Sequence, residues 1–208
     1  MIRKILAILF VLVCIGAAPA LSATFYPDYR PYLTIGGGVS LLSEIDNELH
    51  STLGEISVSS DPGFNAYIAS GLAYDAGRIE FSLAYHNLDL DEFEDSLGAK
   101  TDLTGDAQVA AFHFSMFWDF NKDGMLSPYF GGGIGVAGID FDDNLLQTGS
   151  SGGVFSYQLG AGVSFYINEN TQLDLGYKLL GFVEPNLGPL DPDYMVLHSG
   201  NAGLRFLF

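Results

Sequence analysis

The 208-residue chain has a single cysteine, only eight lysines and arginines, and no run of 18 consecutive apolar residues. The lone cysteine, Cys14, excludes a disulfide framework within the chain. Eight basic residues against 25 acidic ones, a net charge of −17, exclude nucleic acid as a partner, because neutralising phosphate takes clusters of Lys and Arg. Without a long apolar run there is no membrane-spanning helix. Charge of either sign is also scarce, at 16% of residues, against about 25% in an ordinary soluble domain.

The N-terminus does have a recognisable order. Arg3 and Lys4 precede an apolar stretch from Ile5 to Ala17, and Ala18-Pro19-Ala20 follows as a small-x-small pattern. This predicts an export signal over residues 1–20, cleaved after Ala20 or after Ala23. Residues 21–30 then form a lead-in segment and 31–208 one domain. Cleavage removes Arg3, Lys4 and Cys14, so the mature chain keeps six basic residues and no cysteine. Cys14 follows Val13 inside the apolar run, which disfavours a lipid anchor there.

Beyond residue 31 the hydropathy alternates with period two in eight segments, which predicts strands over 31–42, 63–74, 78–90, 105–120, 127–141, 153–167, 171–183 and 195–208. The connections alternate in length. Those at 75–77, 121–126 and 168–170 are tight and rich in Asp, Asn and Gly, whereas 43–62, 91–104, 142–152 and 184–194 are long. In 153–167 one phase is bulky, Phe155, Tyr157, Leu159, Val163, Phe165 and Ile167, and the other small, Ser156, Gln158, Gly160, Gly162 and Ser164. An eight-stranded barrel has an interior only just wide enough for side chains. The bulky phase therefore faces outward, and the aromatic rings are not expected inside.

An apolar outer face and a small, polar inner one suit a barrel in lipid. Closure satisfies every backbone N–H and C=O where an open sheet edge would leave them unpaired. The predicted fold is all-β: an eight-stranded antiparallel up-and-down transmembrane β-barrel. Outward aromatics near the short-turn rim, such as Trp118, Phe120 and Phe130, form an interfacial girdle.

The leader, the eight alternating strands, the stretch Pro128-Tyr129-Phe130-Gly131-Gly132-Gly133-Ile134-Gly135-Val136-Ala137 and the closing Gly203-Leu204-Arg205-Phe206-Leu207-Phe208 resemble the small outer-membrane β-barrel proteins. Opacity-type, OmpX-like and OmpA-transmembrane-domain-like chains are among them. The resemblance implies an integral location in the cell outer membrane among its lipid and lipopolysaccharide. It also implies that the terminal Phe206 and Phe208 are read by the outer-membrane assembly machinery. Such families include adhesins, envelope-stabilising proteins, small pores and lipid-modifying enzymes, so the fold alone does not choose among them.

Several residues are candidates for function. Glu80, Asp174 and Arg205 fall on the inner phase at similar depth, with Lys178 one layer higher. Because the third and seventh strands of eight stand opposite each other, a lumenal ion cluster in which Glu80 approaches Asp174 and Arg205 is expected to plug the pore. The long connections hold fifteen acids, among them Glu44, Asp46, Glu48, Asp91, Glu92, Glu94 and Asp95, opposed only by Lys100. Such a rim attracts basic extracellular ligands and needs divalent cations to approach anionic lipopolysaccharide. Asp119, Asn121 and Asp123 begin like a calcium loop, but its twelfth position is Phe130 rather than Glu, so a hairpin turn is expected and no metal or cofactor. His113-Phe114-Ser115 echoes the His-x-Ser of outer-membrane lipid A deacylases, yet both polar groups fall in the lumenal phase. His198 and Ser199 point to opposite faces.

The expected function is a non-enzymatic surface protein acting in surface interaction or envelope maintenance. The alternatives are a narrow channel for small solutes or cations and, third, a lipid A-modifying hydrolase.

Overall fold

The computed structural model describes residues 29–43, 57–60, 62–94, 100–121, 124–143, 152–183 and 194–208. The predicted leader lies outside them. The strands are β1 (Arg30–Leu42), β2 (Ser57–Ser60), β3 (Gly63–Tyr74), β4 (Gly77–Glu94), β5 (Lys100–Asp119), β6 (Leu126–Asp143), β7 (Gly152–Asn168), β8 (Thr171–Val183) and β9 (Tyr194–Leu207). From β3 onward consecutive strands pair antiparallel, and β1 pairs with both β3 and β9, so the sheet closes. The short β2 pairs with the upper part of β4 and continues the stave of β3, which leaves eight staves in the ring.

The register fixes the shape. From Tyr32 the paired positions run through Gly71, Glu80, Ser115, Gly133, Gln158, Leu180 and Leu197, returning to β1 at Leu42, ten residues along from the start. With strands about 4.7 Å apart and a rise of about 3.3 Å per residue, that stagger tilts them by about 40°. Each residue then climbs about 2.5 Å along the axis. The outward series of β7 from Phe155 to Ile167 spans about 30 Å, the thickness of a bilayer's hydrocarbon core. Ile134, Leu159 and Leu204 are among the large apolar side chains on this outer face, and Trp118, Phe130 and Phe120 stack in sequence at the short-turn rim.

Contrary to the expectation from lumen width, aromatic rings lie inside the lower barrel, among them Tyr32, Tyr67, Phe117 and Tyr129. Glycine makes the room. A Cβ on Gly71 would meet the Tyr32 ring, one on Gly203 or Gly36 the Tyr67 ring, one on Gly162 or Gly176 the Tyr129 hydroxyl, and one on Gly131 the Phe117 ring. The many lumenal glycines are thus the complement of these large side chains lying across a narrow bore.

The strands also outrun their predicted lengths at the long-loop end. The 91–104 segment, expected as a loop, is mostly ladder, paired out to Phe93↔Thr101 and Glu94↔Lys100 after a bulge between Leu90 and Glu92. Likewise β6 reaches Asp143, and 43–62 contains β2. Acidic residues mimic a loop in sequence, but the period-two apolar pattern continues through Leu88 and Leu90, and the ladder resumes after the bulge as far as Glu94 and Lys100.

At this end the lumen is apolar. Leu88, Val109, Ala111, Ile139, Leu180, Phe182, Met195 and Leu197 form a buried cluster, with Leu42 packed against it. On the outward phase of β4, β5 and β6 the same level bears Asn87, Gln108 and Asp140, each partly exposed. The barrel is therefore apolar outside and polar inside along the bilayer, and on this side it inverts where it rises toward water. A water-facing wall needs an apolar interior.

Candidate functional site in the barrel lumen

The lower lumen is built from inward positions of six strands. Arg78 and Glu80 come from β4, Tyr32 from β1, Phe117 and Asp119 from β5, Tyr129 from β6, Gln172 and Asp174 from β8, and Arg205 from β9. Arg78 is 2% exposed and forms an ion pair with Asp119. Its Nε lies 4.0 Å from Glu80 Oε2. The guanidinium sits 4.6 Å from the Phe117 ring centre and 4.4 Å from that of Tyr129, and these two rings meet edge to face at 5.8 Å. A weakly hydrated, planar cation loses least on entering such a site and gains attraction from both ring faces.

A second unit mirrors the first. Arg205 Nη2 donates to Asp174 Oδ2 at 2.5 Å and Nη1 to Gln172 Oε1 at 3.0 Å, while the guanidinium lies 5.1 Å from the Tyr32 ring centre. The Tyr32 hydroxyl donates to Glu80 Oε2 at 2.9 Å. Tyr32 thus joins the two units. Glu80 and Arg205 do not pair directly as expected. Each meets Tyr32, and their ionic partners are Arg78 and Asp174. Lys178 stands above, its Nζ 4.5 Å from the Tyr67 ring centre. These contacts tie β4 to β5, β8 to β9, and β1 to β4, fixing charges that burial would otherwise penalise.

A family model described as outer membrane protein beta-barrel domain matches residues 7–206 of this chain. The chain belongs to that outer-membrane barrel family. Two solved structures share its fold. Neisserial surface protein A superposes with a TM-score of 0.60 at 18% identity, over 86% of this chain and 97% of that one. The outer membrane protein OprG of Pseudomonas aeruginosa gives 0.55 at 14%, over 86% and 96%. No curated protein matches the chain in sequence. Membership of the family implies an integral outer-membrane location.

Above the cations, the middle of this outer-membrane barrel is lined by neutral hydrogen bonds. The Ser156 hydroxyl meets His113 Nε2 at 3.0 Å, and Gln158 donates to Ser115. Ser40 meets His86 Nδ1 at 2.9 Å and accepts from Asn65 at 2.9 Å. His113 and Ser115 are both buried, and each bonds β7 rather than the other. No nucleophile–base pair is assembled from them. His198 faces outward and Ser199 inward, so they too stand apart.

The calcium-like turn is also redirected. Asp119 points into the lumen to Arg78. Asn121 takes a positive φ of 56° and donates from Nδ2 to the Leu126 carbonyl at 3.2 Å, as a tight turn requires. Asp123 lies outside the described residues, among which no group of three metal-ligating side chains occurs. Glu44, Asp46, Glu48 and Asp95 are also outside them. Asp91, Glu92 and Glu94 belong to β4 rather than to a loop. Phe206 and Phe208 are on the outer face, and the Phe208 N–H bonds the Pro31 carbonyl at 2.9 Å, closing the barrel beside β1.

Two features were not anticipated from the sequence. Arg78 and Asp119 belong at the centre of the ion cluster, which their inward phase next to Glu80 and at the end of β5 could have indicated. The apolar upper lumen was equally readable, because Leu180 and Phe182 simply extend the inner phase of Gln172, Asp174 and Lys178.

Proposed function

We propose that the protein is a non-enzymatic, side-chain-plugged barrel that holds acidic segments at the cell surface, for surface interaction or envelope maintenance. One observation carries this reading: among the described residues, side chains meet within the lumen in successive layers, from the Arg78 and Arg205 units through the His113 and His86 layer to the apolar cluster around Leu197. A bore occupied in this way favours a structural anchor over a passage for solutes. In this reading the short turns face the periplasm and the long connections face outward. The leader over 1–20 directs export, and the assembly machinery reads Phe206 and Phe208.

The acids at Glu44, Asp46, Glu48, Asp91, Glu92, Glu94 and Asp95 then set a negative field at the outer rim, which selects basic partners. Cells carrying the protein should adhere to a surface coated with a lysine-rich peptide more than to a neutral one. Replacing those seven acids by Asn or Gln should abolish the difference at an unchanged amount of folded barrel. Equal adhesion before and after the replacement contradicts the assigned role of the rim.

A further inference from the structure

One polar pair stands on the lipid-facing wall. On β8 and β9 the Tyr177 hydroxyl and His198 Nδ1 are hydrogen-bonded, with ring centres 6.0 Å apart. Tyr177 is 47% exposed. Its ladder neighbours on the outer face are apolar or small: Leu179 and Leu41 flank His198, and Gly200 lies directly beside Tyr177. On β9 His198 is eight residues above Phe206, about 20 Å along the axis. The pair therefore lies inside the apolar belt, toward its long-loop end.

Proton counting shows what the pair lacks. A neutral Tyr and a neutral His carry two N–H or O–H protons between them, and their mutual hydrogen bond uses one. Whichever tautomer His198 adopts, one donor is left over. It meets no second partner among the described residues, and hydrocarbon offers none. An ionisable residue on a lipid-facing wall is costly and is a candidate functional site.

Beside the pair the wall is hollow. A Cβ built on Gly200 would meet only Val39 Cγ2, at 3.9 Å, and Val39 is the residue opposite Gly200 on β1. The hollow is bounded by Tyr177 on one side and Val39 on the other, with His198 above it.

We propose that Tyr177, His198 and Gly200 form a binding site for one membrane lipid: an acceptor oxygen carried by an acyl chain takes the spare proton, and the rest of that chain lies over Gly200. The depth selects an ester or amide carbonyl, or a chain hydroxyl, rather than an extracellular solute. Two kinds of lipid carry such oxygens, phospholipids and the acylated glucosamine of lipid A. The site depends only on the lipid-facing wall. Its failure and that of the surface-interaction reading are therefore separate results.

Native mass spectrometry of the folded protein in detergent tests this, with phosphatidylethanolamine or lipid A added at equal concentration. The wild type should retain one lipid molecule, and the double variant Tyr177→Phe/His198→Phe, which removes both donors, should lower the bound fraction at least tenfold. Gly200→Val, which fills the hollow and leaves the pair intact, should lower it as well, whereas His198→Gln, which keeps a donor, should retain most of it. Retention of lipid A alone assigns the site to the glycolipid; retention of both assigns it to the acyl carbonyl they share. No retained lipid on the wild type, or equal retention by the wild type and Tyr177→Phe/His198→Phe, overturns the proposal.

Discussion

Arg78→Met is the most informative single change in the lumen. The arginine is 2% exposed, and its partners Asp119 and Glu80 have side chains only 6% and 5% exposed. Methionine roughly keeps the volume between Phe117 and Tyr129 but removes the charge. Glu80 retains the Tyr32 hydroxyl as a donor, whereas Asp119 loses its ionic partner. Breaking a buried pair from one side costs about 3–5 kcal/mol, because the remaining carboxylate must be neutralised or left unpaired. Urea unfolding from lipid vesicles can be followed through Trp118, the only tryptophan of the chain, which leaves the girdle for water on unfolding. The variant should lose about 3–5 kcal/mol. Adding Asp119→Asn should recover about 1–3 kcal/mol of that loss as coupling between neighbours. A loss below about 1 kcal/mol, with no coupling in the cycle, would refute the argument that the pair is desolvated and mutually dependent.

Two further substitutions probe the packing. Gly203→Ala places a Cβ against the Tyr67 hydroxyl, with Thr34 the next neighbour, and should destabilise by about 1–3 kcal/mol. In a Tyr67→Phe background most of that cost should vanish in the same unfolding assay. Leu197→Ala, in the upper apolar cluster at 0% exposure, should cost about 2–5 kcal/mol without preventing insertion. A negligible effect would mean that the cluster is not packed.

The strand count, the tight turns at 75–77, 121–126 and 168–170, and the assignment of faces were legible because period two is local. Phe155 and Ser156 declare opposite sides without reference to any other strand. Strand ends were less legible. Glu92 and Glu94 look like loop residues, and only pairing with Asp102 and Lys100 reveals them as ladder. The identity of ionic partners was harder still, because register across the ring decides it. Glu80 and Arg205 do share a depth, yet Arg78 stands two residues from Glu80 on its own strand and Asp119 lies on the next. The lumenal rings escaped a width argument that counted the bore as uniform, whereas Gly71, Gly162, Gly176 and Gly203 widen it at just the points where Tyr32, Tyr129 and Tyr67 cross.

In the proposed function, side chains seal the lumen of this outer-membrane barrel. Conductance across a planar lipid bilayer, at neutral pH and moderate salt with insertion of folded protein confirmed, tests it most directly. A sealed lumen predicts a silent membrane at every applied voltage that leaves the bilayer intact. Stable, cation-selective current steps from the wild-type protein, weakened when the rim acids are neutralised, would contradict it and make the protein a channel.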